Sequence, residues 1–378
     1  MEDKFFKKIS RFRYEDLCSV GANVIPISSV CNAKCLFCSN KMNPFPIYRC
    51  GFRPVREVRE WLSSNKYILD SNPHFRVQLS DVLPGRISEG EATLHPQFFE
   101  ILDLLRGNLR NCFHMTTNGS RLTKDFVEKL ARYKPFKVML SYHSCNPTHW
   151  TNIFGLSMDE YYVATRAFKL LNDVGIDVVG AIVALPNVVG YKDIEKTMMF
   201  FNKHCTRIQF WRPSYSKYAS EEVVKAVGHD PNEFKDFAHS MYKKCNNLYV
   251  RWDTDPDLPL QLDPHVLMTR TIEQGFKKVM WMTAEINYER LKSLIATYSK
   301  SFPNEHYVEK IVSHAYGGNT SCNGLLLVSD INIALENTKY NPDIIILSDK
   351  FLDRTGRDLT EVSWTDIQSP APIILESR

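Results

Sequence analysis

Residues 23–38 read NVIPISSVCNAKCLFC, and this stretch decides how the rest of the chain is read. The apolar run from Asn23 to Ile27 predicts a buried strand that stops just before three cysteines. Cys31, Cys35 and Cys38 follow at i, i+4 and i+7, in a loop at that strand's C-terminal end. In parallel sheets the chemistry gathers at C-terminal strand ends. Thiolates are soft ligands suited to iron–sulfur clusters, and three of them leave the fourth iron of a [4Fe–4S] cluster open. Zinc is the competing metal. It closes on four ligands, and a fourth would have to come from afar, such as Cys18 or Cys50. Plain burial of the thiols is the bland alternative.

Working outward, strands alternate with helices through residue 212. Helices are expected at Arg56–Leu69, Pro96–Arg106, Thr123–Arg132, Ser157–Val174 and Tyr191–Asn202. Strands are expected to end near Ile87 and to span Cys112–Thr117, Lys137–Tyr142, Asp177–Leu185 and Arg207–Trp211. Thr123 caps its helix and Gly175 closes the one before it in space. These strands are near-continuous apolar runs, as when both sheet faces are covered. Right-handed crossovers then give an α/β fold, a partial (β/α)6 TIM-like barrel over residues 1–212 with an N-terminal extension. Residues 213–264, with the turn-rich DTDPDLP, read as a connecting segment. Residues 265–378 read as a smaller C-terminal α/β domain, with strands at Lys278–Thr283, Val308–Ser313 and Asp343–Leu347 and helices at Tyr288–Tyr298 and Gly324–Leu335.

Composition limits the classes. The 378 residues are 44% apolar and 24% charged, as in ordinary globular chains. With 47 basic and 43 acidic residues, the net charge of +4 gives no ground for a nucleic-acid or membrane surface. The N-terminus MEDKFFKKISRFRYEDL is too charged for a secretory leader, and no apolar stretch is long enough to span a bilayer. A cytoplasmic location follows as the expectation, so the ten cysteines predict metal binding or burial rather than disulfides.

The CNAKCLFC motif, with aromatic Phe37 before the last cysteine, resembles the radical S-adenosylmethionine superfamily, and the likeness runs over about residues 20 to 212. The resemblance implies a [4Fe–4S] cluster on Cys31, Cys35 and Cys38 that cleaves S-adenosylmethionine. It implies an electron donor of flavodoxin or ferredoxin type and a small-molecule or peptide substrate. It also implies cofactor contacts at other strand ends. Phe37 is expected near the adenine. In SEGEATLHP, Gly90 and Glu91 stand where the superfamily has Gly-Gly-Glu-Pro, with Glu89 and Ala92 as departures. Gly90 would let the backbone approach the ligand, and the Glu91 carboxylate or nearby carbonyls would meet its amino group. Asn118 in TTNGS, Ser141 and the strand end Ile182–Leu185 around Val183 complete the expected cradle. Arg212 is placed there too, as a partner for a carboxylate or phosphate. His143 and Cys145 are read as facing substrate, with Cys145 and Cys322 as hydrogen-atom donors.

The segments SYHSCNP and HAYGGNTSCNGLLLVSDINIAL also resemble uncharacterised iron–sulfur proteins related to nitrogenase-cofactor maturases. Gly317, Gly318 and Asn319 read as a flexible turn before a helix, able to present amides to an anion or simply to cap that helix. The reading is a radical enzyme. Methyl transfer or peptide modification is the alternative outcome. A non-catalytic electron-transfer protein and a zinc-stabilised module are the alternatives from other classes.

Overall fold

The four strands expected between Cys112 and Trp211 lie side by side, because their apolar runs can be buried only between helices and one another. The computed structural model describes residues 24–42, 51–80, 90–245, 248–251, 263–319, 322–352, 356–358, 360 and 362–376. Asn23, the strand end near Ile87, Glu89, Cys18, Cys50, the N-terminal stretch and DTDPDLP lie outside these residues. The chain divides into two compact units, at 251/252.

In the first unit the described strands are β1 (Val77–Gln78), β2 (Phe113–Thr117), β3 (Phe136–Ser141), β4 (Asp177–Val183), β5 (Arg207–Trp211) and β6 (Leu248–Arg251). They form one sheet in the order β1-β2-β3-β4-β5-β6, and every neighbouring pair is parallel. Residues 24–27 extend the β1 edge. The Ile25 amide donates to Gln78 O (2.8 Å) and the Ile27 amide to Leu79 O (3.2 Å). The expected first strand is therefore an edge segment that runs straight into the cysteine loop.

One sheet face carries Val77, Phe113, Met115, Val138, Leu140, Val178, Ile182, Ile208 and Phe210, all fully buried. Helices cover this face. The helix Val55–Ser71 buries Val58, Leu62, Asn65 and Leu69, spaced to make one stripe. The helix Met158–Asp173 opens with a capping box between Ser157 and Glu160. The helix Pro186–His204 starts before the expected Tyr191, but Gly190 (φ 73°, ψ 154°) breaks it just ahead of that residue. An additional helix, Pro147–Phe154, begins at the last residue of the SYHSCNP segment. Asn146 caps it, accepting from the Thr148 and His149 amides, and Pro147 takes the first turn.

Residues 213–251 contribute two helices and a strand to this unit, where the sequence reading had a connector. Phe234, Ala238 and Met241 of the helix Pro231–Lys244 are buried, and Phe234 stacks on Phe210 of β5 (5.3 Å between centroids). That apolar stripe, too thin to stand out between polar residues, ties the segment to the barrel sheet.

The second unit has a parallel sheet of β7 (Lys278–Ala284), β8 (Glu305–Ile311), β9 (Ile344–Ser348) and β10 (Ile373–Glu376), in the order β10-β9-β7-β8. Two apolar clusters fill it, one around Met280, Ile331 and Leu347 and one around Trp281, Leu291 and Ile346. The expected helix Tyr288–Tyr298 is present as read. Strand β10 is an element the sequence reading lacked. Among the described residues no helix is long and apolar enough to cross a membrane.

Gly180 on β4 lies under Phe201, and a Cβ there would stand 2.6 Å from its ring carbon. Gly180→Ala is therefore expected to force helix and strand apart and to cost about 1–3 kcal/mol. A urea denaturation midpoint equal to that of the parent protein would contradict this packing.

Candidate functional site

The uncovered sheet face points the other way at each strand. It presents Thr116, Met139, Ser141, Val179, Ala181, Val183, Gln209 and Trp211, buried or half-buried. Strand register lines them up in rows: Thr116 with Met139 and Val179, Ser141 with Ala181 and Gln209, and Val183 with Trp211. The upper rows carry no charged side chain up to Trp211.

The cysteine loop is fastened at this end of the strands. The Lys34 amide donates to Phe154 O (2.7 Å) and the Leu36 amide to Ile153 O (3.1 Å). The last carbonyls of the helix Pro147–Phe154, orphaned by its ending, thus hold the loop. Lys41 Nζ bridges Lys34 O (3.0 Å) and Cys35 O (2.9 Å). Asn32 donates from Nδ2 to Ser120 Oγ and Glu160 Oε1, and it accepts at Oδ1 from Asn118 Nδ2, each at 3.0 Å. Burial, first of all, pushes the Cys35 thiol up, and the neighbouring Cys38 and Cys31 push it further. Three thiols that oppose one another's ionisation are a site for a cation, which stabilises the thiolates. Among the described residues no three His, Cys, Asp or Glu side chains converge as they would for a single ion. A cubane takes each thiolate on a different iron and needs no common point. The donor set fits a [4Fe–4S] cluster.

Glu91 is only 2% exposed. Its Oε1 accepts from the Thr93 amide (3.2 Å), Thr93 Oγ1 (2.6 Å) and Thr117 Oγ1 (2.7 Å), and its Oε2 from the Asn118 amide (2.8 Å). Burial raises this carboxyl and the same donors oppose the rise. The Glu91 amide donates to Val30 O (2.8 Å), beside Cys31. The carboxylate expected to meet an amino group is thus turned onto the protein, where it ties the cysteine strand to the end of β2. Gly90 fits because a Cβ would stand 2.5 Å from Ser28 O and 2.6 Å from Ser29 C. Only glycine lets this backbone lie against that of Ser28 and Ser29.

Asn118 is part of the same lattice, with its Oδ1 accepting from the Ser120 amide (2.9 Å). Ser141 ends β3 half-buried on the uncovered face. The Val183 amide donates to His143 Nδ1 (2.9 Å). His143, 2% exposed, stacks on Phe154 (5.0 Å, 28°) and meets Phe37 edge to face (4.4 Å, 74°). Burial lowers its pKa to about 3, so the ring is neutral.

Arg212 and Cys145 have partners of their own. Arg212 Nε donates to His229 Nε2 (3.3 Å). Burial chiefly, and then the Arg212 charge, lower the His229 pKa. The Cys145 amide donates to Thr197 Oγ1 (2.9 Å) and its carbonyl accepts from Tyr161 Oη (2.8 Å). Both partners belong to helices behind the sheet, and burial pushes the Cys145 thiol up to about 11. Cys322 is buried in the second unit. The residues not singled out from sequence are Asn32, Thr93, Thr117, Ser120, Phe154 and Glu160. Asn32 lies inside the cysteine motif, Thr93 inside SEGEATLHP, and Thr117 and Ser120 inside TTNGS; Phe154 and Glu160 meet them only through the fold.

Residues 25–201 match the family model described as the Radical SAM superfamily. That family uses a [4Fe–4S] cluster and S-adenosylmethionine. No curated protein matches the chain. Among solved structures the chain is similar to Streptococcus suis SuiB bound to S-adenosylmethionine, at 19% identity over 64% of this chain and 53% of that one, with a TM-score of 0.46. It is similar to anSMEcpe with bound AdoMet and the Cp18Cys peptide, at 20% identity over 58% of each chain, with a TM-score of 0.45. It is similar to TYW1 with a lysine–pyruvate adduct, at 15% identity over 59% of this chain and 74% of that one, with a TM-score of 0.39. The alignment spans about half the length of SuiB.

Glu91→Gln places an NH2 group against donors that now share a carboxylate. It is expected to cost about 2–3 kcal/mol in cluster-free protein, read by chemical denaturation. Unchanged stability would show that the four donors find other partners.

Proposed function

We propose that this chain, whose residues 25–201 match the radical SAM family model, is an enzyme that removes a hydrogen atom from an organic substrate held against the sheet face of Thr116, Ser141 and Gln209. Cys31, Cys35 and Cys38 would hold the cluster and leave one iron for the amino and carboxylate groups of S-adenosylmethionine. When bound and reduced, that group would supply the electron for cleavage of S-adenosylmethionine to methionine and a 5′-deoxyadenosyl radical. Lys41, Asn32 and the helix Pro147–Phe154 keep the loop in place. Gly90 and Glu91 set the backbone beside Val30, so the contact to the amino group falls to backbone carbonyls. Phe37 and the end of β4 wall the adenine, and Ser141 faces the ribose side.

The observation that carries the reading is the shared lattice at Glu91. One buried carboxylate fixes the cysteine strand and the β2 end together. An electron carrier needs its cysteines held but has no use for an open face of small and uncharged side chains next to them. Thr116, Ser141 and Gln209 can hydrogen-bond a substrate there, and Met139, Val179 and Ala181 form an apolar patch that limits water. A small organic molecule fits this face best as substrate. Methyl transfer and peptide modification remain the alternative outcomes, and a flavodoxin or ferredoxin-type donor is the expected reductant.

Anaerobically reconstituted protein, reduced with dithionite and given S-adenosylmethionine, is expected to release 5′-deoxyadenosine and methionine. Cys35→Ala should lose both the cluster absorbance and the product. An intact reduced cluster with no 5′-deoxyadenosine would overturn the proposal.

A further inference from the structure

We propose that the Nε2–H of His143 is a hydrogen-bond donor kept for the adenine of S-adenosylmethionine, so that this chain reads a ring nitrogen of the base through a side chain. The inference rests on the reading that the chain binds S-adenosylmethionine, and it deepens that reading.

The tautomer is set by the backbone. An amide can only donate, and the Val183 amide points at Nδ1 (2.9 Å). Nδ1 is therefore the acceptor, and the proton of the neutral ring sits on Nε2. The two nitrogens of an imidazole point in nearly opposite directions, so Nε2–H is directed away from β4. Among the described residues it has no hydrogen-bond partner, and the atom is buried. Orphaned buried donors are uncommon in folded proteins and usually await a water or a ligand.

The surroundings indicate what that ligand is. His143 stacks on Phe154 and stands at the edge of Phe37, which precedes Cys38. An aromatic wall with one in-plane donor is the chemistry that recognises a heteroaromatic base. The charged groups of the cofactor have another destination at the open iron. A carboxylate would also be a poor occupant of this apolar corner. Adenine, in contrast, is neutral and offers in-plane lone pairs at N1, N3 and N7. Nε2 is buried, so the base meets it only once a neighbouring side chain moves aside.

A purely structural His143 would only brace the Val183 amide. The test separates the two roles. Protein with an oxidised, reconstituted cluster does not cleave the cofactor, so dissociation constants can be measured by equilibrium dialysis. The probes are S-adenosylmethionine and its 1-deaza, 3-deaza and 7-deaza analogues. One analogue is expected to bind about tenfold more weakly than S-adenosylmethionine, because its C–H faces the donor. His143→Asn keeps an acceptor for the Val183 amide but has no Nε2–H. It should bind S-adenosylmethionine about tenfold more weakly, and the gap to that analogue should close. His143→Phe should behave likewise wherever its iron content matches the parent. Equal binding of all three analogues by the parent protein overturns the proposal, with no variant needed. So does a gap that persists in His143→Asn. A parent protein that holds its cluster but binds no S-adenosylmethionine at all would instead remove the reading beneath the proposal.

Discussion

Four hydrogen bonds converge on the carboxylate of Glu91, from Thr93, Thr117 and Asn118. Burying a carboxylate is costly unless its lone pairs are filled, and here two donors come from the end of β2 and two from Thr93 in the turn that Glu91 itself caps. The site's geometry follows from that constraint. The Glu91 amide reaches Val30, the residue before Cys31, while its side chain holds the turn after β2. Asn118, fixed by that turn, in turn bonds Asn32 inside the cysteine loop. A chain of three residues thus transmits the position of β2 to the cysteine loop. Gly90 permits the arrangement, because any Cβ would meet the backbone of Ser28 and Ser29.

A second support comes from behind. The helix Pro147–Phe154 ends with two carbonyls pointed at the loop amides of Lys34 and Leu36. Its last residue, Phe154, lies under His143. The same short helix therefore fastens the cysteine loop and floors the aromatic corner at Phe37. Its capping residue Asn146 and its Pro147 are local signals, so the helix forms where the chain leaves β3 rather than where a long crossover would place it.

Other residues with reactive side chains are held by the scaffold. The Cys145 backbone bonds Thr197 and Tyr161 of the helical layer through its amide and carbonyl. Arg212 leans on His229, whose Nδ1 lies 3.2 Å from Val227 O. The second unit buries acids in the same manner as Glu91. Asp330 accepts from the His314, Ala315 and Leu327 amides, which holds the start of the Gly317–Gly318 turn. The Gly317 amide is itself spent on Ser313 O (2.9 Å).

The sequence by itself determined the local pieces: the cysteine spacing, the strand ends at Thr117, Ser141 and Trp211, the capped helices, and the alternation that demands a parallel sheet. These are short-range quantities, set by periodicity, caps and ligand spacing within a few residues. It could not show that residues 213–251 belong to the first unit, because the stripe of Phe234, Ala238 and Met241 gains meaning only against Phe210. Nor could it show which polar side chains are consumed. Glu91 and Thr117 are 26 positions apart, and Asn32 and Glu160 are 128 apart. Only tertiary structure brings such groups within 3 Å. A hydrogen bond is directional and short, so the same Glu91 that spacing alone would offer to a ligand becomes, once folded, the brace that holds Cys31, Cys35 and Cys38 in reach of one.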